Sequence, residues 1–430
     1  MKKDILEIIK EGIKSVNPLL CIRRSVRLEN DILVIKEKRY DLREFENVYI
    51  VGAGKASAKM AFAMESILGD KKFEGVVITK YKHLHKTRKI KVIEASHPVP
   101  DENGIRGTKK IIEFLERAKE NDLVIVLISG GGSSLLVLPK QGISLEEKKK
   151  TDKLLLECGA DIEEVNTVRK HISQIKGGFL VKKAYPAEVV SLILSDVLGD
   201  PIDAIASGPT SPDPTTIRDA IRVLERYDLK EKVPKSIITS LKKGETPKPK
   251  DKIFKRVSNF VIGNNKMALE SSRKKAEELG YNTLLLSSYI EGEAKEVGKV
   301  LASIAKEIYY SDHPLKKPAA LISGGETTVT IRGNGRGGRN QELVLSAAIQ
   351  IRSLDICIAS VGTDGTDGMT DAAGAIVDGN TIKIANKKGL EAREYLDNND
   401  SYSFFKAIGS LVYTGPTNTN VNDIQVILVK

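Results

Sequence analysis

Five stretches concentrate residues able to handle negative charge. "VGAGKAS" (51–57) sets Gly52 and Gly54 just before Lys55, and "SGGGSS" (129–134) runs Ser129, Gly130, Gly131, Gly132, Ser133, Ser134. "LSDVLGDPIDAIASGPTSPDPTT" (194–216) carries Asp196, Asp200 and Asp203 after an apolar run. "SGGETTVTIRGNGRGGRNQE" (323–342) holds Gly324, Gly325 and Glu326, then Arg332, Arg336, Arg339 and Asn340. "VGTDGTDGMTDAAGA" (361–375) spaces Asp364, Asp367 and Asp371 along one loop. Glycine turns at strand ends expose backbone N–H groups that suit an anion. A lysine supplies a point charge, and an arginine grips a carboxylate or phosphate with a two-pronged fork. An aspartate at a strand end accepts a hydroxyl proton or holds Mg²⁺. Such a set suits transfer of a charged group.

Each stretch also has a plainer reading. "VGAGKAS" resembles a dinucleotide fingerprint with Ser57 in the third glycine's place, but it also reads as a tight strand-to-helix turn. Three successive glycines favour a ligand loop, because their ordering has a high entropic cost unless close backbone approach is needed. Turn and cap chemistry accounts for Asp200, Asp203 and Asp213, leaving Asp196 as the aspartate expected to act. Arg339 stands near the start of the helix "NQELVLSAAIQI". The Asp364 loop lacks the calcium-loop spacing. His97 either lines a site or caps a turn. "LISGG" occurs at 127–131 and again at 321–325, and both copies are expected to be backbone cradles at strand ends.

Continuous apolar runs alternate with helix-periodic segments, as buried parallel strands covered by helices require. The expected strands are 47–52, 75–79, 91–96, "DLVIVLIS", 187–196, 259–263, 282–287, "AALISGG", "TTVTIRG", "DICIASVG" and the terminal "IQVILVK". "KKGETPKPKD" breaks the pattern, so two α/β domains are expected at 1–243 and 252–430 with a linker at 244–251. The terminal strand is assignable to either domain. "MKKDILEIIK" reads as an amphipathic helix rather than a signal peptide.

The net charge of +11 is spread over helix faces, and tryptophan is absent with aromatics at 5%, which is poor material for stacking bases. No nucleic-acid partner and no membrane span are therefore expected. Three scattered cysteines support neither a disulfide framework nor a zinc site, so a reduced cytoplasm is the simplest location.

Three classes compete on these residues: phosphoryl transfer from ATP, hydride transfer with NAD(P)H, and a non-catalytic binder of anions or sugar phosphates. The second strand ends in Thr79 and Lys80 rather than the acidic residue an NAD ribose needs. "GAGKAS", "SHPVPDE", "SGGGSSLL", "LSDVLGDPIDAIASGPT", "GRGGRNQE", "GTDGTDGMTDAAGA" and "TGPTNTNVND", in this order, resemble the glycerate 2-kinase family from about residue 5 to the C-terminus. The resemblance implies an N-terminal Rossmann-like, mainly parallel sheet and a C-terminal MOFRL-type α/β domain, with the active site in an interdomain cleft. It implies ATP-dependent phosphorylation of D-glycerate to 2-phosphoglycerate with a divalent metal such as Mg²⁺. Some relatives carry the name hydroxypyruvate reductase. The catalytic set it implies is Lys55, Asp196 and Arg339. Gly52, Gly54, 129–134 and 324–326 are expected on the nucleotide phosphates, Lys55, Arg339 and Asn340 on the substrate, and Asp196 and Asp364 on the metal. The basic loop 79–89 has no assigned role, and the oligomeric state, a homodimer included, is open.

Overall fold

The structure is a computed structural model that describes residues 1–242 and 244–430. Lys243, the expected last residue of the first domain, lies outside the described residues.

The chain forms two compact units, 18–262 and 1–17 with 263–430. The first starts with a small antiparallel meander of β1 (Val26–Glu29), β2 (Ile32–Ile35) and β3 (Lys38–Asp41). Its main sheet contains β4 (Asn47–Ala53), β5 (Glu74–Lys80), β6 (Ile90–Ala95), β7 (Asp122–Ile128), β8 (Glu188–Leu194) and β9 (Val257–Gly263), in the spatial order β6-β5-β4-β7-β8-β9. The strands from β6 to β8 pair in parallel. Every residue of β7 is buried, as a central strand covered on both faces must be. Helix Glu102–Arg117 turns Ile111, Ile112 and Leu115 onto this sheet. Helices Leu145–Glu157, Ile162–His171, Ile217–Arg226 and Lys235–Leu241 share a separate core of their own, a layer the periodic segments had not suggested.

The second unit is built on β10 (Asn282–Ile290), β11 (Ala319–Gly325), β12 (Ile356–Gly362), β13 (Gly374–Asp378), β14 (Leu411–Val412) and β15 (Asp423–Val429), ordered β10-β11-β15-β12-β13-β14. Only β10 and β11 run parallel; the other pairs are antiparallel. The terminal strand β15 thus lies between β11 and β12, fully buried, in the C-terminal unit. "TTVTIRG" is no strand: it contributes a single bridge between Thr328 and Glu293.

The division differs from the expected one at both ends. Helix Lys2–Ser15 buries Ile5, Ile8 and Ile9 within the C-terminal unit, where Ser272 donates to the Ile8 carbonyl at 3.2 Å and Tyr281 to Asp4 at 2.6 Å. An amphipathic stripe says that a helix must pack, not on what. Segment 244–251 is no free linker: Thr246 is buried and the Pro247 carbonyl accepts from Asp213 N–H at 3.0 Å. β9 then adds to the edge of the first sheet beside β8.

Candidate active site

In the parallel-sheet unit, chemistry gathers beyond the carboxyl ends of β4, β7 and β8, where open parallel sheets bind ligands. β4 and β7 are direct neighbours, with Ala53 opposite Ile128, so their exit loops interlock. Lys55 N–H donates to the Gly130 carbonyl at 2.9 Å and Ala56 N–H to Ser129 Oγ at 3.0 Å. Gly54 N–H is taken by the Ile78 carbonyl and Ser57 N–H by the Gly54 carbonyl, both at 3.1 Å. Gly52 lies inside β4, paired with Val77 and Leu127. The turn expected to cradle phosphate therefore has its donors consumed internally. Gly52 and Gly54 are needed for close packing instead.

The triglycine loop is different. Among the described residues, the N–H groups of Gly130, Gly131 and Ser133 meet no acceptor, although Gly130 is buried. Buried backbone donors are almost always paired, so the Gly130 N–H is an exception, while the Ser133 N–H belongs to the open first turn of helix Gly132–Leu135; an anion would satisfy both. The named side chains surround it. A methyl group added to Gly130 would fall 2.4 Å from Asp196 Oδ2, and one on Gly131 would fall 2.9 Å from His97 Cδ2 and 3.2 Å from Lys55 Cγ. Gly131 has φ +81°, a left-handed conformation that favours glycine. Lys55, Asp196 and His97 thus converge on one loop, and His97 joins the group that sequence left open. Ser133 Oγ lies 3.0 Å from Ser207 Oγ, which donates to Asn166 Oδ1 at 3.0 Å. The basic loop is pinned by buried Glu65, which accepts from the N–H groups of Arg88, Lys89 and Ile90 at 2.6–2.8 Å.

This interlock gives a sharp stability prediction. Gly54 has φ +143°, and an added methyl group would sit 2.1 Å from Ser129 Oγ. Gly54→Ala is expected to lose about 3 kcal/mol of unfolding free energy, from backbone strain and steric overlap together. Urea denaturation measures it, and an unchanged midpoint would show that the two loops can part without cost.

In the mixed-sheet unit the centre is Arg339, first residue of helix Arg339–Gln350. Its Nε and Nη2 meet Asp423 Oδ2 and Oδ1 at 2.6 and 3.0 Å, and Nη1 meets Glu326 Oε1 at 2.8 Å. Asn422 Nδ2 holds the other Glu326 oxygen at 2.8 Å. Asp423 heads β15 and is completely buried; burial pushes its carboxyl up to about 6, against the pull of Arg339. Burial alone would lower the Arg339 guanidinium, but Asp423 and Glu326 outweigh it and hold it above its ordinary value. Asp423 escaped the sequence reading because a lone acidic residue ahead of an apolar run looks like a turn residue.

Three expectations change here. Asn340 is 1% exposed, with Nδ2 on Asp367 at 3.2 Å and Oδ1 accepting from Ser360, so it positions the helix rather than touching substrate. The helix N-terminus is already capped, since buried Asp367 accepts from the N–H groups of Asn340 and Gln341 at 3.1 and 2.9 Å. Gly324 and Gly325 lie inside β11, where added methyl groups would strike Asn265 at 2.2 Å and the Ile290 carbonyl at 2.1 Å. The second "LISGG" is thus a packing device. The loop around Arg332 is clamped in turn, its N–H groups taken by Asn398, Asn399 and Asp400. Asp364 accepts from Thr366 N–H at 3.0 Å, and among the described residues no three His, Cys, Asp or Glu side chains are grouped to hold a metal.

Two family models match the chain: a domain of unknown function (DUF4147) over residues 4–242 and the MOFRL family over 319–423. A curated D-glycerate 2-kinase from Thermotoga maritima is 46% identical over 433 residues, covering 100% of this chain and 98% of the relative. A solved glycerate kinase from Thermotoga maritima superposes with a TM-score of 0.90 at 45% identity, covering 100% and 99% of the two chains. A relative from Agrobacterium vitis, 45% identical over 88% of this chain and 86% of its own length, bears a hydroxypyruvate reductase name. Full-length similarity in sequence and in three dimensions leads to one statement: the chain belongs to the glycerate 2-kinase family.

Proposed function

We propose that this protein transfers the γ-phosphoryl group of ATP to the 2-hydroxyl of D-glycerate, giving 2-phosphoglycerate and ADP. The observation that carries this reading is the triglycine loop, whose unpaired N–H groups lie beside Lys55 and Asp196. Phosphoryl transfer needs placement and neutralised charge more than covalent chemistry. The loop 130–134 holds phosphate oxygens, and Mg²⁺ arrives with the nucleotide as part of that substrate. Lys55 stabilises the transferring group. Asp196 orients the attacking hydroxyl and accepts its proton. Arg339, already shaped by Asp423 and Glu326, takes the carboxylate of glycerate. In an enzyme of this kind the substrates are small molecules; no helix among the described residues is long and apolar enough to cross a membrane. A cytoplasmic location suits ATP supply and cysteines that form no disulfide.

The reductase reading is weaker on specific grounds. A dinucleotide needs free N–H groups at the first strand's turn, and those are spent. It also needs an acid at the end of β5, where Thr79 is buried and donates to the Lys55 carbonyl at 3.3 Å. Incubation with ATP, Mg²⁺ and D-glycerate should release ADP, whereas NADH or NADPH with hydroxypyruvate should show no loss of absorbance. The reverse pair of results sinks the kinase reading. Asp196→Asn should lower kcat about 10²- to 10⁴-fold, the range of a general base, with KM for ATP little changed. A kcat within threefold of the parent's would remove Asp196 as the base.

A further inference from the structure

Beneath the triglycine loop lies a lysine that the mechanism does not use. Lys176, in "QIKGGF", is 1% exposed and is among the largest side chains to be buried completely. Its Nζ donates to the Ser133 carbonyl at 2.8 Å and the Ala206 carbonyl at 3.3 Å. Among the described residues it forms no ion pair with any carboxylate. Its charged neighbours make matters worse. Lys148 and Arg169 repel it, and Asp152, the one acid close by, is already ion-paired with both of them, Arg169 at 3.1 Å. Burial first, and these cations next, drive the Lys176 amine well below its ordinary range.

A buried cation without a counter-charge is costly, and an apolar residue of similar volume would ordinarily serve stability better. Lys176 also knits three segments together. Gly177 and Gly178 N–H groups donate to the carbonyls of Ser207 and Gly208 at 2.9 and 2.8 Å. Ala206 and Ser207 are left-handed at φ 52° and 59°, a conformation that non-glycine residues hold only when their surroundings impose it. Ser207 in turn touches Ser133. The lysine, the strained turn and the triglycine loop form one body, with the amine held on the carbonyl of Ser133 within the loop.

We propose that Lys176 is a positioning residue for nucleotide binding: it fixes the shape of the 130–134 loop through the Ser133 carbonyl, and the phosphates that the loop receives supply the anion that favours its charged form. This rests on the loop being the phosphate site. Lys148 and Arg169 add to the same fixed field, while Lys170 is neutralised by Asp203 and Asp213 and does not.

Lys176→Met removes the charge and the donors, and Lys176→Gln replaces the amine with a shorter neutral amide that still donates. Titration of ADP with Mg²⁺ into each folded variant, followed calorimetrically, is expected to show affinity reduced about 10- to 100-fold, the range of a charge-assisted hydrogen bond. KM for ATP should rise by a similar factor while KM for D-glycerate stays within about twofold. A residue that only supports the fold would shift both KM values together. ADP affinity within threefold of the parent's in either folded variant overturns the proposal, as does failure of both variants to fold, which would make Lys176 a strut. Should the parent protein bind ADP yet not phosphorylate glycerate, the substrate assignment fails while the Lys176 comparison still stands or falls on ADP alone.

Discussion

Lys55→Ala is expected to yield a folded protein whose kcat for glycerate phosphorylation falls about 10³-fold or more, with a melting temperature close to the parent's. The size follows from the task assigned to the side chain. A cation placed on a transferring phosphoryl group acts where charge is redistributed in the transition state, and removing such a group typically costs 10³ to 10⁵ in rate. The fold survives because the part of Lys55 that builds the structure is its backbone: its N–H holds the Gly130 carbonyl and its carbonyl accepts from Thr79, and both remain in alanine. Steady-state kinetics alongside circular dichroism tests this. Turnover within tenfold of the parent's would take Lys55 out of the chemistry, and a collapse of the melting temperature would assign it to the fold.

Arg339→Lys should prove nearly as damaging, though to a different constant. Lysine keeps the charge but cannot reproduce a fork that meets both oxygens of Asp423 and still reaches Glu326. kcat/KM for D-glycerate is expected to fall about 10²-fold or more, with KM for ATP within a few-fold, because the bidentate grip is charge-assisted and geometrically specific. The partner carries its own signature. Burial raises the Asp423 carboxyl to about 6, so its ionised form, which grips Arg339, prevails above that pH and gives way below it. The parent should therefore lose kcat/KM for glycerate as pH falls through about 6, and Asp423→Asn should be impaired throughout and lack that acid limb. An unchanged acid limb in Asp423→Asn would move the titration to another group.

Much of this was legible in the sequence, and the exceptions have physical causes. Continuous apolar runs gave β4, β5 and β7 almost to the residue, because a strand buried on both faces has no polar positions to confuse its limits. "SGGGSS" drew notice as a ligand loop because glycine triplets have few purely structural uses, and the proposed function rests on it. In "VGAGKAS" the N–H groups of Gly54, Lys55 and Ala56 are taken by Ile78 and by the exit loop of β7, more than twenty residues away in each case, which no local pattern shows. The two "LISGG" copies looked alike and are not. In the first, the glycines follow β7; in the second, they lie within β11, pressed against β10 and β15. Asp423 and Lys176 were invisible for one shared reason: each owes its meaning to burial beside residues distant in sequence, and nothing in the local text announces burial of a charge. The separation of residues 1–17 from the unit that follows them was hidden likewise, since helix Lys2–Ser15 shows an apolar face but not the helix it will cover.

Phosphorus NMR of the reaction product reads directly whether phosphate passes to the secondary hydroxyl of glycerate. With ATP, Mg²⁺ and D-glycerate, the proton-coupled product signal should be a doublet, since phosphorus on the 2-oxygen couples to the single proton at that carbon. A triplet would place the phosphate on the methylene of the 3-position, and a spectrum holding only ATP, without ADP or any phosphate ester, would contradict the kinase assignment itself.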